Sequence, residues 1–97
     1  LNQAGIVCAD LGDQTAAKDF FLKAVMVDNR FVEAQRNYGE ILIESGEYEQ
    51  GIRVFQTILK NHPDDIPALL TMSHLNIEAG RYSEAKQYAE EILTIDP

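Results

Sequence analysis

A single cysteine, Cys8, stands in the 97 residues, so the chain cannot close an internal disulfide. That usage fits a reducing compartment such as the cytoplasm. Long apolar runs are also missing. None exceeds four residues, as at positions 6–9, whereas a membrane-spanning helix needs about 20. Direct membrane insertion is therefore not expected. Basic residues are scarce and scattered: eight Lys and Arg against sixteen Asp and Glu give a net charge of −8, and the bases are spread from Lys18 to Lys86. A phosphate backbone is held by a basic patch, so no nucleic acid is expected as a partner. No glycine-rich phosphate loop is present either.

Against these absences stands a hydrophobic content of 45%, enough to pack a core in a chain of one small domain. The chain begins at Leu1, without methionine, inside a segment with helical patterning. It reads as an excerpt of a longer protein, and missing targeting signals carry no meaning.

Three glycines set the organisation. Gly12, Gly46 and Gly80 lie 34 residues apart. The same shift relates Val7, Ile41 and Leu75, then Ala9, Ile43 and Ile77, then Val25, Leu59 and Leu93. Ala17, Gly51 and Ala85 keep one position small; Gly5, Gly39 and Ser73 keep another. Asn29, Pro63 and Pro97 mark repeat ends. Matched residue size at a fixed period is the signature of a repeat array. The boundaries fall at about 1–31, 32–65 and 66–97, within one domain of residues 1–97.

Inside each repeat the apolar spacing is helical. Phe31, Ala34, Tyr38, Ile41, Leu42 and Ser45 fall on one face, and so do Tyr48, Gly51, Ile52, Phe55, Ile58 and Leu59. Each repeat is thus expected to be two amphipathic helices with a turn at 12–14, 46–48 or 80–82. The turn glycines are expected to take positive φ, which glycine reaches without steric cost. Gly39 and Gly51 are expected to face each other and bring two helices close. Between repeats, Pro63 stops one helix, and an Asp N-cap with Pro67 in the first turn starts the next. Asp19 with Lys23 and Glu49 with Arg53 are i,i+4 pairs in the favourable order.

The 34-residue period, the helix–turn–helix unit and the small positions resemble the tetratricopeptide repeat (TPR) family. The middle repeat carries the motif as Tyr38-Gly39, Leu42, Gly51, Phe55 and Pro63; the first has Gly5, Ala17 and Phe21, and the third Met72-Ser73, Ala85 and Pro97. The chain departs from the pattern in having no tryptophan, with Leu1, Gln35 and Leu69 in its place, and in Asn76 and Ala89 of the third repeat. The resemblance implies an all-α fold of six helices in three hairpins, stacked as a right-handed superhelical solenoid.

The residues capable of chemistry do not converge. Cys8 sits in an apolar run at the phase of Leu42 and Asn76, as a packing residue would. His62 and His74 are twelve residues apart on different helices, without a cysteine pair, so no metal site is expected. His62 suits a helix C-terminus, where it complements the dipole. Asp64-Asp65 and Glu90-Glu91 are neighbours that point about 100° apart on a helix and suit a solvated surface. No enzyme activity and no cofactor are expected.

In arrays like the one this chain resembles, the first helices line a concave groove. That face would carry Arg36, Asn37, Glu40 and Ile43 from the second repeat and Leu70, His74 and Ile77 from the third, with Ile6 from the first. These seven residues from Arg36 to Ile77 are the candidate peptide-binding site. The carboxylate clamp of co-chaperone TPR domains is not reproduced. Asn37 matches one clamp asparagine, but Asn2, Ile6, Leu70 and His74 hold the other places and supply no cation for a carboxylate. The expected function is protein–protein interaction, binding a peptide or helix that is neutral or basic and has an apolar anchor. The alternative is a structural spacer or self-assembly segment of a larger protein, such as a glycosyltransferase or envelope assembly factor. The last helix, 82–94, carries Ala85, Ala89, Ile92 and Leu93 on one face, and self-association through it is expected.

Overall fold

The computed structural model describes residues 1–28 and 31–96; Asn29 and Pro97, two of the repeat-end markers, lie outside the described residues. Among the described residues the chain is all-α. Its helices are α1 (Asn2–Asp10), α2 (Gln14–Val27), α3 (Val32–Glu44), α4 (Tyr48–Asn61), α5 (Ile66–Glu78) and α6 (Tyr82–Ile95). The chain forms two compact units, Leu1–Gln56 and Thr57–Pro97, with the boundary inside α4.

The three hairpin turns are built identically. Gly12, Gly46 and Gly80 have φ of 82°, 89° and 76°, and no other described residue has positive φ. In each turn the glycine N–H donates to a carbonyl three residues back: Ala9 at 3.0 Å, Ile43 at 3.1 Å and Ile77 at 3.0 Å. The following N–H donates five residues back, from Asp13 to Cys8 at 2.9 Å, Glu47 to Leu42 at 2.8 Å and Arg81 to Asn76 at 2.8 Å. This is the Schellman arrangement, which satisfies helix-end carbonyls and requires a left-handed residue. The first helices end one residue earlier than expected, so Ser45 is not part of the apolar face. It is an exposed cap whose hydroxyl donates to the Leu42 carbonyl at 3.1 Å. Tyr48, placed on the apolar stripe of α4, is also exposed.

In the first unit α2 packs against both α1 and α3. Buried Ala17, Phe21 and Ile41 form its core, with Cys8, Ala9 and Tyr38 packed around them. Cys8 thus serves as a small apolar side chain. Against the second hairpin helix, Gly39 and Gly51 meet as expected. A Cβ on Gly51 would lie 3.0 Å from the Gly39 carbonyl oxygen and 2.6 Å from Ile43 Cγ1, and a Cβ on Gly39 would lie 2.8 Å from the Phe55 ring. Any side chain at either position would push α3 and α4 apart. Glu49 pairs with Arg53 at 3.8 Å, and the Lys23 ammonium lies 5.7 Å from the Phe20 ring centroid.

In the second unit α5 packs on α6. Ala68, Leu69, Met72 and Ala85 are buried, together with Ser73 and Asn76. Asn76 Nδ2 donates to the Met72 carbonyl at 2.8 Å, so this polar side chain is satisfied within its own helix. Asp65 caps α5 by accepting from the Ala68 N–H at 3.1 Å, with Pro67 in the first turn, as the sequence predicts.

Candidate functional site

The first helices of the first unit present a surface with two adjoining hollows. One, of about 160 Å³, is lined by Ile6, Ala9 and Asp10 of α1, Phe21 of α2, and Asn37, Glu40, Ile41 and Glu44 of α3. The other, of about 360 Å³, is lined by Leu1, Asn2, Gln3, Ile6, Phe31 and Glu33. Ile6 belongs to both and is the ridge between them. The apolar side chains come from the shared core pattern: Phe21 and Ile41 are core residues whose edges form a hollow's floor. Ile6 and Phe31 remain 36% and 40% exposed, an apolar surface available to a partner.

The α1–α3 surface is held by a polar cross-link. Asn37 Nδ2 donates to Asn2 Oδ1 at 3.0 Å, and Asn2 is buried. Both residues belong to the face expected to bind, but their side chains are engaged with each other and fix the spacing of α1 and α3. A second cross-link joins the Lys18 ammonium of α2 to Glu47, in the α3–α4 turn, at 2.8 Å. The hydrogen bond to Lys18 holds the Glu47 carboxyl below its usual range, and the same bond raises Lys18. Neither pair is suggested by local spacing, because the partners are 35 and 29 residues apart.

Glu40 is the electrostatically unusual member of the face. Much of its side chain meets solvent, yet partial burial of its carboxyl raises its pKa, and the Glu44 charge adds to this. Arg36, one turn earlier on α3, pulls in the opposite direction without cancelling the effect. Ile43 is half-buried and packs over Gly51, within the α3–α4 hairpin. In the second unit, Leu70, His74 and Ile77 follow one another at helical spacing on α5 and share a face. All three are exposed, Leu70 by 44% and Ile77 by 49%.

Asp10 was not singled out as a site residue on sequence grounds, although a signal exists. Asp10, Glu44 and Glu78 are related by the 34-residue period, so an acid recurs near the end of each first helix. Among the described residues, no group of three or more His, Cys, Asp or Glu is placed to hold a metal ion. No helix among them is long and apolar enough to cross a membrane.

A family model of the tetratricopeptide repeat matches residues 9–75, and a second matches residues 66–97. The chain belongs to the tetratricopeptide repeat family. The Arabidopsis thaliana protein named Protein CTR9 homolog is 28% identical over 82 residues, which cover 84% of this chain and 8% of that protein. The chain thus spans a small fraction of the length of the relative it matches. TPR repeats generally mediate protein–protein interaction and are typically non-catalytic scaffolds, and TPR domains bind proteins or peptides.

Proposed function

We propose that this TPR chain docks an extended peptide or a helix of a partner on the exposed faces of its first helices. In the first unit that face is the α1–α3 surface with Ile6, Arg36, Asn37 and Glu40. Leu70, His74 and Ile77 are the corresponding docking residues of α5. The observation that carries the reading is the pair of adjoining hollows on either side of Ile6, where apolar floor and charged rim lie together. The bound segment is neutral or basic, with an apolar side chain as anchor. Its affinity is modest, because ordering a flexible peptide offsets much of the contact free energy.

A displayed library of random peptides, selected on the purified segment, tests this. Peptides docked on the α1–α3 surface are expected to lose binding to Ile6→Asp and to show altered salt dependence with Arg36→Glu; peptides docked on α5 are expected to respond in the same way to Leu70→Ala and His74→Ala. Retained binding to all four, with loss on Gln50→Ala and Gln87→Ala of the second helices, would overturn the assignment.

A second reading has its own support. In the first unit α2 packs Phe21 and Ala24 out of solvent and is covered by α3. Two repeat periods later, the equivalent residues of α6 are Ala89 and Ile92, exposed and half-buried, with Leu93 60% exposed beside them. The repeat rule thus calls for a helix on this face, and a second copy of the chain supplies one through residues 82–94. Sedimentation should give a concentration-dependent dimer that Leu93→Glu returns to monomer. A monomer at every concentration would remove this reading.

A further inference from the structure

The smaller hollow on the α1–α3 surface has a composition of its own. Its floor is apolar, made by Ile6, Ala9, Phe21 and Ile41, and three of its eight lining residues are the acids Asp10, Glu40 and Glu44. Among the described residues, no Lys or Arg lines it. Its volume is about 160 Å³, close to the ~150 Å³ cavity that admits a single benzene ring. That size accepts one side chain and excludes a helix. The acids are not grouped to hold a metal ion, so a compact divalent cation is not the matching charge. The complement to an apolar floor with a carboxylate rim is a long side chain with an aliphatic stem and a cationic head.

We infer that this hollow is a specificity pocket for one lysine or arginine side chain of the docked partner. The stem lies along Ile6 and Ala9 toward Phe21, and the head meets the carboxylates of Asp10, Glu40 and Glu44. An isolated cation head is strongly hydrated, so the rim must replace water with charge-assisted hydrogen bonds. In the empty pocket the Glu40 carboxyl is partly buried and feels the like charge of Glu44. An incoming cation relieves that repulsion, which is a reason for binding that an apolar side chain of the same length does not have. The charges acting on Glu40 are Glu44 and Arg36 of α3, Asp10 of α1 lines the same hollow, and α2 contributes Phe21 to the lining.

The inference rests on the α1–α3 surface being a docking face, and it adds which residue of the partner is read there. The probes are the N-acetyl methylamides of lysine, arginine, norleucine and glutamate, titrated into the isotope-labelled segment by NMR. Lysine and arginine derivatives are expected to shift the amide resonances of Ile6, Asp10, Glu40 and Glu44 at millimolar concentrations. Norleucine has the same stem without the charge and should bind roughly tenfold more weakly. Glu40→Gln and Glu44→Gln, at exposed positions that leave the helical spectrum unchanged, should each weaken lysine binding about two- to fivefold, the range of exposed ion pairs. Raising ionic strength from about 0.1 M to about 1 M should weaken it further. Norleucine binding as well as lysine, or lysine shifts lying elsewhere or absent, would overturn the pocket. Peptides selected on the segment separate this failure from that of the docking face. If they lack a basic residue yet lose binding to Ile6→Asp, the face stands and the pocket falls.

Discussion

At the scale of single residues, glycine serves two separate purposes in this chain, and the two respond differently to mutation. Gly46 has φ of 89° and nothing within 4 Å of where a Cβ would stand. The constraint there is backbone conformation alone. Gly46→Val is expected to cost about 1 kcal/mol or more, because a β-branched residue resists the left-handed region. Gly51 has ordinary helical φ but no room, with Ile43 and the Gly39 carbonyl in the way. Alanine favours a helix by about 1 kcal/mol over glycine, so relief of propensity opposes the clash. The clash involves a backbone oxygen and an inner carbon of Ile43, neither of which swings aside freely. Gly51→Ala should therefore destabilise by about 1–3 kcal/mol, read as a lower midpoint in urea unfolding monitored by circular dichroism. A neutral result would mean that the hairpin adjusts where these distances say it does not.

At the scale of the helix, the N-terminal ends are unequal although the C-terminal ends of α1, α3 and α5 are alike. Asp13 caps α2, its Oδ1 accepting from the Ala16 N–H at 3.1 Å. Two periods later the same phase is Arg81, which heads α6 without a side-chain cap bond. Arginine supplies no acceptor and puts positive charge at the positive end of the helix dipole. Arg81→Asp should stabilise the fold by about 1 kcal/mol, and Asp65→Ala, which removes the cap of α5, should cost about the same. Thermal melts of the two variants give the comparison directly, with opposite signs expected. A lower melting temperature for Arg81→Asp would show that Arg81 makes a contribution that outweighs a cap.

For the molecule as a whole, the carboxylates give stability two opposing dependences on pH. The Glu47 carboxyl is lowered by its hydrogen bond to Lys18. Its contribution is therefore present above the ordinary glutamate range and lost as pH falls through the lowered value. The Glu40 carboxyl is raised by burial and by Glu44. The folded chain holds that proton more tightly than the unfolded chain, so stability falls as pH rises from the ordinary glutamate value through the raised one. Urea unfolding across the acid to neutral range should show Glu40→Gln more stable than the wild type at neutral pH, with the difference closing on acidification. Glu47→Gln should be less stable at neutral pH and converge on the wild type only at lower pH. With sixteen acids against eight bases, general repulsion acts in both variants, and comparison at matched salt isolates the two sites.

The period, the paired helices and the left-handed turns were legible because each rests on local rules. Glycine at 34-residue intervals, apolar residues at steps of three and four, and Asp65 ahead of Pro67 specify conformation within a few neighbours. The facing of Gly39 and Gly51 was legible too, since residue size at fixed phase survives as a pattern. The candidate surface was less so. Asn37 stood out as a binding residue, yet its amide is joined to buried Asn2. Ile43 was placed on the groove floor, yet it packs over Gly51. Asp10 was passed over, yet it lines a hollow with Glu40 and Glu44. Helical periodicity assigns a residue to a face to within one turn. Whether that residue points to a neighbouring helix or to solvent depends on how closely two helices approach. In this chain that distance is set by glycines and by cross-links between residues far apart in sequence, and neither can be summed from local propensity.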